Sequence, residues 1–207
     1  IGDTAETISL VDHVNLLSNG DISADISGTW TGTATTGTDG AVNVENTAGE
    51  TRGGLDTNAL HLTGKGMVSK RYTQTVTVSG TAGDIFTFGG WAKAATVPLD
   101  SASMETRTDY PRRAGIAVTL YNGTTAAGTS YVPVNEDVHY WQFLSGKLTA
   151  TGDYTSVEYA FVYENNGNEA WFDGAQLFRE PFDYVYTYDD DGNLTSVKNP
   201  DGTTTTY

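Results

Sequence analysis

The chain has 207 residues, of which 38% are hydrophobic and 18% charged, and its net charge is −15 at pH 7. This length allows one large domain with a buried core. The acidic balance argues against nucleic acid and anionic membranes as partners, because both are bound through clustered Lys and Arg. The absence of cysteine excludes disulfides and thiolate metal sites. No apolar run approaches the roughly 18 residues of a membrane span, so we expect no membrane insertion.

Short alternations of apolar and polar residues recur along the chain between turn-forming residues. Examples are NALHLTG (58–64), YTQTVTVSG (72–80), IFTFGGWAKA (85–94), GIAVTLYNG (115–123) and SVEYAFVY (156–163). A period of two residues indicates strands, and Tyr, Thr and Trp favour pleated, half-buried surfaces. The sequence therefore predicts an all-β fold, an antiparallel β-sandwich over about residues 15 to 179 with almost no helix.

Two interruptions suggest how the chain is divided. The stretch 95–114 has little strand pattern, and connections of this length are more often functional or mobile than ordinary hairpin loops. Pro181 cannot donate to a strand ladder, and a tyrosine-rich tail follows it. We predict an N-terminal extension or linker (1–14), a β-sandwich (15–180) and a C-terminal hairpin segment (181–207). Because the first residue is not Met, we expect the chain to be an excised fragment.

The tail YTYDDDGNLTSVKNPDGTTTTY contains Asp191-Gly192 and Asp201-Gly202, pairs that are typical of hairpin turns with positive φ. It resembles the YD repeat of RHS and teneurin-like proteins. The resemblance implies a longer parent chain, in which such repeats build a large β-shell. A single repeat buries little by itself. We therefore expect a hairpin around Asp191-Gly192 that the main domain does not need for folding.

Three segments frame the main domain: NLLSNGDIS (15–23), IFTFGGWAKA (85–94) and AWFDGAQLF (170–178). Their order and spacing resemble bacterial carbohydrate-binding modules of the β-jelly-roll type, the broad group around families 4, 9 and 22. The resemblance implies a jelly roll and leaves the ligand open. With the tail, it implies a secreted or cell-surface protein tethered to polysaccharide or host glycan, and we expect the isolated domain to be a monomer.

The sequence carries no recognisable catalytic motif. The three histidines, at positions 13, 61 and 139, are scattered, and no nucleophile elbow or phosphate loop is present. With 26 carboxylates, any acid–base pair chosen from the sequence would be arbitrary. We therefore expect a protein that is not an enzyme. Two alternatives to glycan binding stay open: a structural spacer beside the repeat shell, and a protein-binding adhesion domain.

Jelly-roll modules of the resembled type often hold one structural calcium between the opening segment and the closing strand. Asp21 and Asp173 occupy the matching positions, which makes them the candidate metal ligands. Two further acidic positions of the pattern are Ser23 and Gly174 here, so calcium binding and a simple turn-holding role both remain open.

Glycan binding needs aromatic side chains that face outward, because sugar rings stack on Trp and Tyr. In IFTFGGWAKA the alternation places Phe86 and Phe88 in the core and Trp91 and Lys93 on the opposite face, beside the open space at Gly89. Trp91 is then either a ligand platform or a residue covered by the 95–114 loop, whereas Trp30, Trp141 and Trp171 are interpreted as core or edge anchors.

Other predicted site residues surround Trp91. Tyr121 is predicted to share its face, and Tyr110, Arg112 and Arg113 to overhang it from the long loop. Arginines suit carboxylate or sulfate groups through bidentate pairing, although they can equally pair with the protein's own Asp and Glu. The complete predicted carbohydrate site is Trp91, Tyr121, Tyr110, Arg112, Arg113 and Lys93.

Overall fold

The computed structural model describes residues 15–22, 25–43, 58–94, 112–180, 185–199 and 203–207. These residues form thirteen strands, and none of them forms a helix that could span a membrane. The strands are β1 Thr31–Thr33, β2 Gly40–Asn43, β3 Asn58–Thr63, β4 Ser69–Gly80, β5 Ile85–Ala94, β6 Arg113–Asn122, β7 Thr125–Pro133, β8 Gln142–Thr149, β9 Tyr154–Glu164, β10 Glu169–Glu180, β11 Val185–Tyr188, β12 Leu194–Lys198 and β13 Thr204–Thr206.

Ten of these strands build two five-stranded sheets. The first sheet has the order β1-β4-β9-β6-β7 and the second has the order β2-β3-β10-β5-β8. Every pairing within them is antiparallel. The predicted all-β antiparallel sandwich is confirmed.

The core lies between the two sheets and follows the two-residue period of the strands. Phe86 and Phe88 of β5 are at most 1% exposed, and Ile116 and Val118 of β6 are fully buried. Trp30 stacks on Phe161 with ring centroids 5.2 Å apart, which confirms it as a core anchor. Each inward-facing set therefore leaves a second set of side chains on the outer face of its sheet.

Two ionic clusters connect the first sheet to the second. Near β2, Asp39 accepts a hydrogen bond from Lys70 of β4 at 2.7 Å, and both side chains are at most 1% exposed. Its other oxygen accepts the N–H of Thr63 on β3. Elsewhere, Asp84 accepts hydrogen bonds from Tyr154 of β9 at 2.9 Å and from Arg179 of β10 at 2.7 Å.

A bulge in β10 receives the opening segment of the domain. The register of β10 against β5 shifts between Asp173 and Gln176, and Gly174 has φ of 57°. Beside it, the Asn15 side chain donates to the carbonyl of Ala175 and accepts from the N–H of Leu177. The opening and closing motifs recognised in the sequence are therefore neighbours in the fold.

The third sheet is built by the tail, in the order β11-β12-β13. The hairpin between β11 and β12 forms as predicted, with Gly192 at φ of 82°. Its connection, residues 189–193, is longer than a two-residue primed turn. Within it the Asp189 carboxylate accepts the N–H groups of Asp191 and Asn193. The Asp201-Gly202 pair lies outside the described residues.

Candidate functional site

Trp91 lies on the outer face of the second sheet. Its neighbours Gly90 and Ala92 point into the core, whereas Trp91 is half-buried. In the strand register Trp91 is opposite Asp173 of β10 on one side and Phe143 of β8 on the other. The indole therefore sits in a row of side chains that runs across three strands.

Phe143 occupies the space that Gly89 leaves open. A Cβ at Gly89 would lie 2.8 Å from the Phe143 ring, so only glycine allows this ring to lean across β5. The rings of Phe143 and Trp91 meet edge to face, with centroids 5.4 Å apart. Phe143 is 45% exposed, and this makes the pair accessible from solvent.

A second set of rings continues this surface on the neighbouring strands. Trp171 of β10 is opposite His61 of β3 and Lys93 of β5. The His61 and Trp171 rings stack at 5.2 Å, and the Lys93 ammonium lies 5.7 Å from the Trp171 ring centre. We call these five outward side chains, His61, Trp171, Lys93, Trp91 and Phe143, the aromatic row.

Sequence reasoning found Trp91 and Lys93 but missed the other members of the aromatic row. Trp171 is half-buried on the outer face of β10, the central strand of the second sheet, so its interpretation as a core or edge anchor is wrong. Alternation within AWFDGAQLF, with Phe172 inward, could have placed Trp171 outside. No pattern in the sequence indicates that β3 and β8 bring His61 and Phe143 to the same face.

The other predicted site residues lie elsewhere. The prediction that Tyr121 shares the face of Trp91 is wrong, because β6 belongs to the first sheet and β5 to the second. Arg113 begins β6, and Arg112 directly precedes it. Tyr110 lies outside the described residues. Of the described residues in the predicted site, Trp91 and Lys93 thus belong to the second sheet, and Arg113 and Tyr121 to the first.

The outer face of the first sheet has a different composition. At its centre the small residues Ala117, Ala160 and Val162 form a buried cluster with Tyr131 packed against it. The Arg113 guanidinium stacks 4.1 Å from the Tyr131 ring centre. Burial raises the pKa of Tyr131, so its phenol stays protonated and donates to the Ala114 carbonyl at 3.0 Å.

Beside this stack is a cavity of about 110 Å³, which we call the arginine cavity. It is lined by Arg112, Arg113, Ala114, Tyr131, Pro133, Val134, Glu136 and Asn166. Glu164 lies next to it, 2.6 Å from Arg71 and 3.7 Å from Arg113. Charged side chains and an amide thus share this region with apolar residues, in contrast to the aromatic row.

The two candidate calcium ligands flank the β10 bulge. Asp173 is fully buried, and one of its oxygens accepts the N–H of Gly174 at 2.7 Å. Asp21 is exposed and follows Gly20, whose carbonyl accepts the N–H of Ala175. In the described ranges, no three Asp, Glu, His or Cys side chains cluster as a metal site would require. Calcium binding stays a prediction.

Comparison with known proteins found matches for both the tail and the sandwich. Residues 188–207 match the RHS repeat family model. The solved structures that resemble the sandwich include the enzymatically active domain of bacteriophage CBA120 tailspike protein 4, with 17% identity, a TM-score of 0.53 and 79% of this chain covered. Our chain spans only 21% of that tailspike chain.

Two further similar structures are carbohydrate-binding modules. The family 61 module TmCBM61, solved with β-1,4-galactotriose, has 16% identity and a TM-score of 0.52, with 81% of this chain and 99% of that chain covered. A family 16 module has 16% identity and a TM-score of 0.51, with 79% and 99% covered. At these identities the likeness establishes the fold. No curated protein sequence matches this chain.

Proposed function

We propose that the sandwich is a non-catalytic carbohydrate-binding domain whose glycan stacks on the aromatic row. The observation that carries this proposal is the presence of two indoles and a 45%-exposed Phe143 on one outer sheet face. Aromatic rings at a surface offer large flat apolar areas to the C–H faces of sugar rings. The structural core needs no aromatic side chains at these outward positions.

Polar groups beside the rings supply partners for sugar hydroxyls. In the row next to Trp91 and Phe143, Gln176 and Ser145 face outward on either side of Gly89, and both are exposed. Lys93 provides a cation beside Trp171. A few such groups around an apolar platform are typical of ligand sites. Because the surface is open, we expect affinities from about micromolar to millimolar.

The likeness to carbohydrate-binding modules supports this assignment and suggests the first ligands to test. One of those modules was solved with β-1,4-galactotriose, so galacto-oligosaccharides are the natural starting probes. The RHS repeat match at 188–207 supports a surface or secreted parent protein. In that setting the domain would tether the parent to polysaccharide or host glycan.

A glycan array on the purified chain, followed by calorimetry with the best ligand, tests the proposal. Trp91→Ala should reduce affinity at least tenfold, because it removes the central ring of the platform. Tyr140→Ala is the matched control, since Tyr140 is 61% exposed and is not in the aromatic row. It should bind like the parent.

Phe143→Ala is a second test of the same site in case the Trp91 variant misfolds. An exposed ring contributes little to the core, so this variant should fold. Circular dichroism and melting curves verify each fold. Unchanged affinity in both folded ring variants would refute the site. If no glycan on the array binds, the spacer alternative is supported instead.

A further inference from the structure

We propose that the aromatic row holds one sugar residue of its ligand, in the corner between the rings of Trp91 and Phe143. This inference rests on the proposed function and narrows its ligands to short glycans and to single sugars at the ends or branches of longer ones. Each further residue of a chain adds affinity only where the protein gives it contacts of its own. Affinity should therefore not grow with the length of the glycan.

The first argument is that both faces of the Trp171 ring are already covered. His61 stacks on it from β3, with ring centroids 5.2 Å apart and an angle of 27° between the planes. On the side of β5, the Lys93 ammonium lies 5.7 Å from the ring centre. The strand register places these two neighbours on opposite sides of Trp171. A sugar therefore meets the edge of this indole, which lacks the flat apolar area that stacking needs.

The second argument is the angle between the other two rings of the row. The planes of Trp91 and Phe143 are inclined at 62°, with centroids 5.4 Å apart. Phe143 is 45% exposed and lies against the position that a Cβ of Gly89 would take. Two rings inclined in this way can contact one sugar residue on two of its sides. They cannot both lie flat under successive residues of an extended chain, which requires nearly parallel planes.

The third argument is the position of the polar groups beside this corner. Gln176 and Ser145 are opposite Gly89 on its two neighbouring strands, and both are exposed. The spacing of strands puts their backbones about 10 Å apart, which is the width of one sugar ring with a hydrogen bond on either side. An amide and a hydroxyl can each donate and accept. One residue in the corner can therefore use both groups.

The outward positions beyond Gly89 form a network of their own. The Thr87 hydroxyl donates to Glu180 at 2.8 Å, and the Lys147 ammonium donates to the same oxygen at 2.9 Å. A second sugar residue placed there competes with hydrogen bonds that already exist, so its net gain is small. This network therefore bounds the corner on the side away from Trp91.

Titration of the purified chain with glycans of increasing length tests the inference. The probes are galactose and its β-1,4-linked di-, tri- and tetrasaccharides and the matching glucose series, or the series of the best ligand on the array if that is another sugar. In a series that binds, the dissociation constants of disaccharide and tetrasaccharide should differ less than fivefold. A gain of fivefold or more overturns the single-residue site and leaves the proposed glycan binding in place. No binding by any of these probes or by any glycan on the array overturns both.

Variants then locate the contact within the row. Trp91→Ala and Phe143→Ala should each weaken disaccharide binding at least tenfold. Trp171→Ala removes an indole from the same face and should leave the affinity for the tetrasaccharide within threefold of the parent. Phe178→Ala removes the half-buried outward ring farther along β10 and should do the same. A larger loss in either of these two variants, with the fold verified by circular dichroism, overturns the single-residue site. If both misfold, the length series on the parent decides.

Discussion

The two outer faces of this sandwich differ in what they present to solvent. The face of the second sheet carries rings that touch edge to face and in stacks, with few charges between them. On the face of the first sheet the alanines at the centre are buried, and arginine–glutamate pairs lie beside one tyrosine. Similar strands with similar cores thus support two chemistries, because the outward residues of a strand do not have to fill the core between the sheets.

The largest expected effect is a loss of stability of the whole sandwich, which carries both faces. In Asp39→Ala, Lys70 keeps its charge in a buried position without its partner, which we expect to lower the free energy of unfolding by about 3 to 5 kcal/mol. Urea denaturation measures this. Asp25→Ala is the control, since the exposed Asp25 carboxylate accepts hydrogen bonds from the nearby Ser27 and its loss should destabilise the fold much less. Equal losses in the two variants would contradict the role of the buried pair.

The ionic cluster at Asp84 also connects the two sheets, and it should make the free energy of unfolding depend on pH. Burial opposes ionisation of Asp84, but hydrogen bonds from Thr81 and Tyr154 and the charge of Arg179 outweigh it and hold the pKa of Asp84 below its ordinary value of 3.8. Such a carboxyl contributes its full stabilisation when the pH is above its ordinary, unfolded pKa. This contribution is lost as the pH falls through the lower pKa of the folded state.

Asp84→Asn should therefore lower the free energy of unfolding by about 1 to 3 kcal/mol at pH 7. The difference from the parent should shrink as the pH drops below about 4, because the parent loses its carboxylate there. Denaturation curves at pH 7, 5 and 3 check this. A difference that stays constant across these values would show that the charge of Asp84 contributes nothing.

One variant on each face tests whether glycan binding belongs to the aromatic row alone. Trp91→Ala should weaken glycan binding at least tenfold, or by about 1.4 kcal/mol. Arg113→Gln, on the other sheet, should leave glycan affinity unchanged. Calorimetry on both folded variants measures this, and an equal loss of affinity in the two would contradict the assignment of the site to the second sheet.

The smallest expected effect concerns calcium at the β10 bulge, near the edge of the aromatic face. Metal that binds only the folded state raises the melting temperature. We expect a rise of a few degrees in millimolar calcium relative to excess chelator, which Asp173→Asn or Asp21→Asn should abolish. Identical melting curves, with no metal found in the protein, would contradict this prediction.

Much of the fold was accessible from the sequence. The two-residue period of IFTFGGWAKA separated Phe86 and Phe88 from Trp91, because side chains of any strand alternate whatever its partners are. The hairpin near Asp191-Gly192 was equally local, although hydrogen bonds to Asp189 lengthened its connection. The motifs at both ends of the domain predicted the β-sandwich that the structure confirms.

The composition of each face depended on the tertiary structure. Tyr121 alternates outward as predicted, yet strand order places it on the sheet opposite Trp91. Phe143 reaches Trp91 because β8 pairs with β5, and Gly89 leaves room for the ring. Arg113 meets Tyr131 because β6 and β7 pair. The sequence alone determined which side chains point outward, since that is a local property of a strand; which of them meet depended on long-range pairing, and only the assembled sheets decide that.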